Sequence, residues 1–243
     1  MTRPARDGAP SVAAGYERFR GLFRDSGHAA DYDRTRFGGF FEGLNQRIWR
    51  RALARLLAAA APRGLVLDLP CGTGRLAPIF RRLGVEAVGA DLSEAMLKVA
   101  RSKGSALLLA GEAERLPLRD GAVDGVVSLR FLSHPPEEAR ARILREMARV
   151  SRRFVIVDLR YRNPVRKALR ALRSALSFRR PKRAKDRPGV GEIRAAFAAA
   201  GFDDVRVRRL PRLFSDNCLV LGRKVPPGSQ SDSVRNPAAR PSQ

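Results

Sequence analysis

The sequence predicts an α/β fold in which parallel strands alternate with helices, and three observations carry that prediction. Leu65, Val66, Leu67 and Leu69 form a short apolar run of the kind a strand buried on both faces requires. The run meets Pro70 and then Gly72-Thr73-Gly74, after which a helical pattern begins, so a strand feeds a helix through a glycine-rich turn. The same alternation of strand and helix then repeats as far as Asp158. A chain of 243 residues, 44% of them hydrophobic, accommodates one such domain with extensions.

Taken in order, residues 1–15 read as a flexible N-terminus, because Arg, Pro, Gly and Ser are mixed without period. Tyr16 to Phe23 has the spacing of a short amphipathic helix, and His28 to Phe41 is rich in aromatics. Leu44, Ile48, Trp49, Ala52, Leu53, Leu56 and Leu57 recur at helical spacing up to Pro62 and Gly64. After the first strand, Leu76 to Leu83 is a helix, and Glu86 to Ala90 a strand that ends in Asp91. Ser93 to Arg101 is the next helix, with Ser93 at its N-cap, and Ser105 to Ala110 a third strand. Val123 to Ser128 forms a fourth strand. Pro136 to Val150 forms a helix with Ile143, Leu144, Met147 and Val150 on one face. Glu137 and Glu138 open it, where the helix dipole favours acids. Phe154 to Asp158 is a fifth strand, Gly189 to Ala200 a helix, and Val205 to Leu210 and Asn217 to Gly222 two further strands. Residues 225–243 read as a disordered tail.

The residue that does not suit a plain structural strand is Asp68, a carboxylate inside the first apolar run. It repels a pyrophosphate and suits a ligand that carries an ammonium group or hydroxyls. Gly72-x-Gly74-x-x-Ala77 also satisfies a loose dinucleotide fingerprint, with Asp91 roughly 20 residues on, so a nicotinamide cofactor is the rival reading. Asp91 stands at the tip of the second strand, where an acid can accept both hydroxyls of a ribose.

V-L-D-L-P-C-G-T-G, at Val66 to Gly74, resembles the first motif of the class I S-adenosylmethionine methyltransferases. Gly111-Glu112-Ala113-Glu114-Arg115-Leu116-Pro117-Leu118 is similar to that family's G-D-A-E-x-L-P-F, and the Tyr32-Asp33 and Trp49 segments resemble the entry to its ubiquinone/menaquinone C-methyltransferase branch. The resemblance implies a Rossmann-like sheet of seven strands, mostly parallel with the last strand antiparallel, and helices on both faces. It implies one methyltransferase domain over residues 16–224, with cofactor-covering helices at 16–60. It also implies S-adenosylmethionine as cofactor, held by residues of these motifs. Asp68, Pro70 and the Gly72-Thr73-Gly74 turn would take the methionine part, and Asp91 the ribose, with Leu92 beside it. Met96 would pack on adenine, Glu112 and Ala113 would meet its amino edge, and Ser128 and Leu129 would line the pocket. The same resemblance puts Tyr32 or Arg36 near the cofactor carboxylate, against a packing aromatic and a solvated arginine as the plain alternative. Many relatives carry Pro-Gly-Gly where this chain has Ser151-Arg152-Arg153.

Acceptor chemistry rests on the edge beyond the fourth and fifth strands. Phenol, hydroxyl or acidic-carbon acceptors need a base within reach, and His134 in Ser133-His134-Pro135-Pro136 stands there. Arg130 and Asp158, with Tyr161, lie at strand ends on the same edge and suit the positioning of an anionic acceptor. An exposed loop histidine and solvated arginine without any role are the plain alternative. Cys71 and Cys218 give neither a disulfide framework nor a metal-ligand spacing, so no metal is expected and a reducing cytoplasm fits. Cys71 reads as a packing residue of the turn.

The formal charge is +24, and arginine supplies 42 of the 48 basic residues, lysine the other 6. Such a charge attracts anionic surfaces: nucleic acid, phospholipid headgroups or acidic substrates. It is densest in an insertion at 160–188, where Arg160 to Arg187 holds twelve basic residues and one acid, Asp186. Val165, Leu169, Leu172 and Leu176 fall on one helical face of it, so it reads as a helix packed on the sheet with solvated arginines, an anchor on an anionic membrane surface, or a nucleic-acid grip. The family resemblance implies a lid over the substrate. No segment reaches the ~18 apolar residues of a membrane span. The chain is therefore expected in the cytoplasm, in one reading peripheral to the inner membrane surface. Neither Asn-Pro-Pro-Tyr nor Asp-Pro-Pro-Tyr follows the fourth strand, no cysteine follows a proline except Cys71, and no RNA-binding module is recognisable. These features favour methyl transfer to a small-molecule or lipid- and quinone-like acceptor. An RNA methyltransferase and a SAM-binding scaffold without turnover remain open, and oligomeric state is not encoded in any motif.

Overall fold

The computed structural model describes Gly21, residues 40–165, Ala168, and residues 187–210 and 216–225, with backbone only for 40–47. The expected N-terminus at 1–15, Tyr32, Arg36, most of the basic insertion and the tail lie outside the described residues. Seven strands form one sheet in the order β3-β2-β1-β4-β5-β7-β6. They are β1 (Val66–Asp68), β2 (Ala87–Asp91), β3 (Leu108–Ala110), β4 (Val123–Ser128), β5 (Ser151–Arg160), β6 (Asp204–Arg209) and β7 (Asn217–Arg223). The helices are α1 (Phe40–Ala60), α2 (Ala77–Arg82), α3 (Glu94–Ser102), α4 (Glu137–Val150) and α5 (Val190–Ala199). β1 pairs in parallel with both β2 and β4, and β7 runs antiparallel to β5 and β6, so the reversed last strand is as expected.

Alternation along the strands sorts the core into two faces. Val155, Val157 and Leu159 of β5 meet Ile143, Leu144 and Met147 of α4 and Ile193 and Phe197 of α5 in one cluster. Phe154 and Ile156 turn the other way, into a cluster with Leu53, Leu56 and Leu57 of α1, Phe80 of α2 and Leu219 and Leu221 of β7. Each of these buried side chains contributes about 1.5–3 kcal/mol through removal from water. β5 begins at Ser151, three residues earlier than the apolar pattern indicates, because Ser151 pairs with Val123 across a register shift in β4. β3 is shorter than expected and covers only Leu108–Ala110.

Capping is met partly from far away in sequence. α1 has no basic residue in its last turn. Arg153 of β5 donates to Ala61 O at 2.9 Å and Arg223 of β7 donates to Ala59 O, which supplies cations and donors to that helix end. At the start of α5, Glu192 reaches back to accept from Gly189 N–H at 3.0 Å.

Strand order reverses between β1 and β4, and a crevice therefore opens at their C-terminal ends. Gly125 on β4 sets how closely β5 packs beside that strand. It is the register partner of Phe154, and a Cβ at this position would lie 2.3 Å from Phe154 Cζ. The ring occupies the space that a side chain at 125 would need. Gly125→Ala is therefore expected to destabilise the fold by about 2 kcal/mol through overpacking. Thermal unfolding should show a fall in Tm of roughly 4–8 °C. An unchanged Tm would mean that Phe154 has room to move.

Candidate cofactor and acceptor site

The sequence-derived residues converge on the C-terminal edge of the parallel strands. β1 ends at Asp68, β2 at Asp91 and β4 at Ser128, while Asp158 lies near the end of β5. The turn that follows β1 is held in strand-like register, with Leu69 N–H bonded to Val127 O at 2.9 Å and Cys71 N–H to Ala90 O at 2.8 Å. Gly72 then takes φ +52°, and nothing lies within 4 Å of where its Cβ would be. Gly74, at φ +74°, is crowded instead, since a Cβ there would stand 2.7 Å from Ser105 Oγ and 3.1 Å from Ala100 Cβ. One glycine leaves open space on the crevice side, and the other lets α3 come close.

Asp91 holds this turn. Its Oδ2 accepts from Gly72 N–H and its Oδ1 from Ser93 N–H, both at 2.8 Å. Ser93 in turn caps α3, accepting from Met96 N–H at 3.3 Å. An acid expected to bind ribose is thus already the tie between the glycine turn and the next helix. A carboxylate has about four lone-pair sites, so the backbone donors leave room for a ligand hydroxyl. The pattern of acids and glycines did not reveal this second duty.

Burial raises the pKa of Asp68 well above the ordinary carboxylate range, and the neighbouring Asp91 raises it further. Burial also raises Asp91, opposed by the N–H donors of Ser93, Gly72 and Leu92. Cys71 packs beside them, its thiol pushed up by burial and by both acids, as a packing residue rather than a nucleophile would be.

The loop Gly111–Leu118 closes the other side. Gly111 N–H bonds to Asp91 O at 3.0 Å, and Leu116 N–H to Glu146 Oε1 of α4 at 2.6 Å. Arg149 clamps Glu146 at 2.7 Å, which pulls the Glu146 carboxyl below its ordinary pKa. Glu112 and Ala113 are half-buried on this loop.

Some expectations need correction. Met96, expected on an adenine ring, is 1% exposed and belongs to the interior. The half-buried apolar side chain beside Asp91 is Leu92. Thr73 and Ser128 are also buried, so they form the wall from behind rather than its surface. Leu129 turns towards the cluster around α1. Pro70 and Gly72 are half-buried on the crevice side.

The arrangement fits S-adenosylmethionine. Two raised carboxyls lie at adjoining strand ends beside open space at Gly72, and Ser128 Oγ at the end of β4 is buried without a partner among the described residues. Such a donor set could hold a cationic, hydroxyl-bearing ligand and would repel a pyrophosphate. Among the described residues no group of acids, histidines and cysteines could hold a metal ion.

On the acceptor side, Arg130 is exposed and has φ +59°, and its N–H bonds to Asp158 Oδ1. His134 is exposed on the same segment, with its N–H on Phe131 O at 2.9 Å. Asp158 is buried, and burial pushes its pKa up to about 6. Arg130 and Asp158 are thus brought together by backbone and carboxylate, and His134 is exposed further along the same segment.

Comparison with known proteins agrees with this geometry. Residues 66–153 match the family described as "Methyltransferase domain". Demethylmenaquinone methyltransferase of Mycolicibacterium vanbaalenii is 32% identical over 183 residues, covering 68% of this chain and 78% of the relative. Malonyl-[acyl-carrier protein] O-methyltransferase of Geobacter sulfurreducens is 32% identical over 197 residues, covering 74% and 68%. The fold is shared with magnesium protoporphyrin IX methyltransferase of Synechocystis crystallised with SAH, at TM-score 0.65, 19% identity and coverage of 86% and 99%. Sequence motifs, sheet order and the relatives together establish that this chain belongs to the class I S-adenosylmethionine-dependent methyltransferases.

Proposed function

We propose that the protein methylates a ring carbon of a quinol-type aromatic acceptor that reaches it from a membrane surface. The observation that carries the acceptor class is the 32% identity with a demethylmenaquinone methyltransferase over most of both chains. Bound S-adenosylmethionine supplies a sulfonium methyl group already activated for in-line displacement. The chain's own residues hold, align and exclude water. Asp68 counters the cofactor ammonium, Asp91 offers its remaining lone pairs to the ribose, and Leu92 packs on the base. Glu112 and Ala113 meet its amino edge, while Pro70, Thr73 and Gly74 shape the turn and Ser128 and Leu129 back it.

At the acceptor, His134 takes the phenolic proton and the Arg130 guanidinium holds the oxyanion that results. The ring carbon then bonds to the methyl as the carbon–sulfur bond breaks, and the ring proton is lost to water. Among the described residues no helix is long and apolar enough to cross a membrane. A +24 chain with its densest basic stretch at Arg160 to Arg187 suits attraction to anionic headgroups, about 1 kcal/mol per basic residue near the surface. A second reading, O-methylation of a carboxylate carried by a protein, draws on the Geobacter relative and on the same charge.

The cofactor part predicts a pH dependence. Burial raises the pKa values of Asp68 and Asp91 in the free protein, which favours their neutral forms. A cation entering between them favours the ionised forms. Binding therefore releases protons, and affinity rises with pH. Calorimetry in two buffers of different ionisation enthalpy is expected to show proton release, with Kd falling as pH rises. Asp91→Ala should weaken binding by at least about tenfold, because the turn loses its tie as well as a ligand group.

The acceptor part is tested with methyl-labelled S-adenosylmethionine offered to a demethylated menaquinol in anionic vesicles, a malonyl thioester on its carrier protein, and bulk tRNA. Label on a quinol carbon, lost as salt releases the protein from the vesicles, is the expected result. Label in an ester or in RNA, or cofactor binding without turnover on any of the three, would overturn it.

A further inference from the structure

The segment between β4 and α4, residues 129–136, carries both Arg130 and His134, and it is fastened to the end of β5 at two points. Arg130 N–H donates to Asp158 Oδ1, and Arg160 N–H donates to Ser133 Oγ at 3.2 Å. Arg130 has φ +59°, a left-handed backbone that an arginine adopts only when its surroundings hold it there. Asp158 is 6% exposed and its Oδ1 is engaged by Arg130 N–H. We propose that Asp158 is a positioning residue, a latch whose carboxylate holds Arg130 in its left-handed backbone and thereby aims the segment that receives the acceptor. This rests on the reading of that edge as the acceptor side.

The latch is built to respond to pH. A hydrogen bond to an ionised carboxylate is stronger than one to its neutral acid. Burial raises Asp158 to about 6, while Arg130 N–H, the Arg130 guanidinium and Arg160 pull the other way. On β7, the Cys218 thiol, opposite Leu159, is pushed up to about 12 by burial and by Asp158 and stays neutral, while Arg209 pulls it the other way. Of these groups only the carboxyl changes charge between pH 5 and pH 7. Below about 6 it takes up a proton, the bond to Arg130 N–H weakens, and the left-handed turn is released.

The full chain is tested by amide hydrogen exchange of the 129–136 segment, together with calorimetry and turnover on the menaquinol. Three proteins are compared: wild type, Asp158→Asn, which keeps an acceptor oxygen without titrating, and Asp158→Leu, which keeps neither. After correction for intrinsic exchange, wild-type protection should fall at least about fivefold as pH drops through 6, stay flat in the Asn variant and be low throughout in the Leu variant. The Kd for S-adenosylmethionine should stay within about twofold in both variants, while the acceptor KM of the Leu variant rises at least about tenfold. Equal protection in all three proteins at every pH would overturn the latch, and the Asn variant keeps this decisive if the Leu variant fails to fold. If exchange follows the expected pattern but the wild type never methylates the quinol, the latch stands and the acceptor assignment falls.

Discussion

Two carboxylates withdrawn from water at adjoining strand ends are the constraint on which the cofactor side depends. Burying a charge is costly unless it is paired or hydrogen-bonded. For Asp91 the protein meets that cost with backbone N–H groups: Gly72 must pass over one oxygen and Ser93 over the other. Those two bonds dictate the rest locally. Gly72 needs a positive φ to present its N–H, and Ser93 begins α3 because it is pinned there. Gly74 must lack a side chain so that α3 can close against the turn. Asp68 is pushed well above the ordinary carboxylate range by burial and then by the charge of Asp91, and so is pulled towards neutrality.

Backbone N–H groups offered to buried acids recur elsewhere in the sheet. Asp124 on β4 is buried, and it accepts from Arg63 N–H at 2.8 Å and from Arg153 at 3.1 Å. Asp158 accepts from Arg130 N–H. In each case an acid on a central strand fixes the path of the chain that enters or leaves a neighbouring strand. At Asp124 the arginine also reaches the end of α1 through Ala61 O, so one side chain serves a buried acid and a helix terminus together. These acids act as hubs for main-chain geometry before they act on any ligand.

Much of this was legible in the sequence. The apolar runs marked β1, β4 and β5, the Gly-x-Gly turn and the acid before it located the crevice, and Ser93 showed itself as an N-cap. The reversed last strand came from family resemblance, since alternation of strand and helix says nothing of it. What stayed hidden depends on contacts between residues far apart in sequence. That Met96 is interior follows from how α3 is rotated once Ser93 is pinned to Asp91, and no helical pattern of nine residues fixes that rotation. That Arg153 and Arg223 cap α1 requires β5 and β7 to lie beside it. The role of Asp158 could not be read either, because a lone acid at a strand end looks alike whether it faces a ligand or a neighbouring N–H.

The charge of the chain and the charge of its site have opposite signs, and the distance over which each acts reconciles them. A net +24 repels a cationic cofactor at long range, but salt screens exposed charges beyond about 8 Å. Asp68 and Asp91 act inside that distance and in a low-dielectric wall, where a charge is worth several times its value in water. On the proposed reading, the site therefore recognises its cofactor by local charge while the surface remains basic for an anionic environment. Methyl transfer removes the sulfonium charge, and the product then loses part of its attraction to the two acids. On that reading, the same carboxylates that favour the substrate form weaken the hold on the spent one, without any movement of the fold.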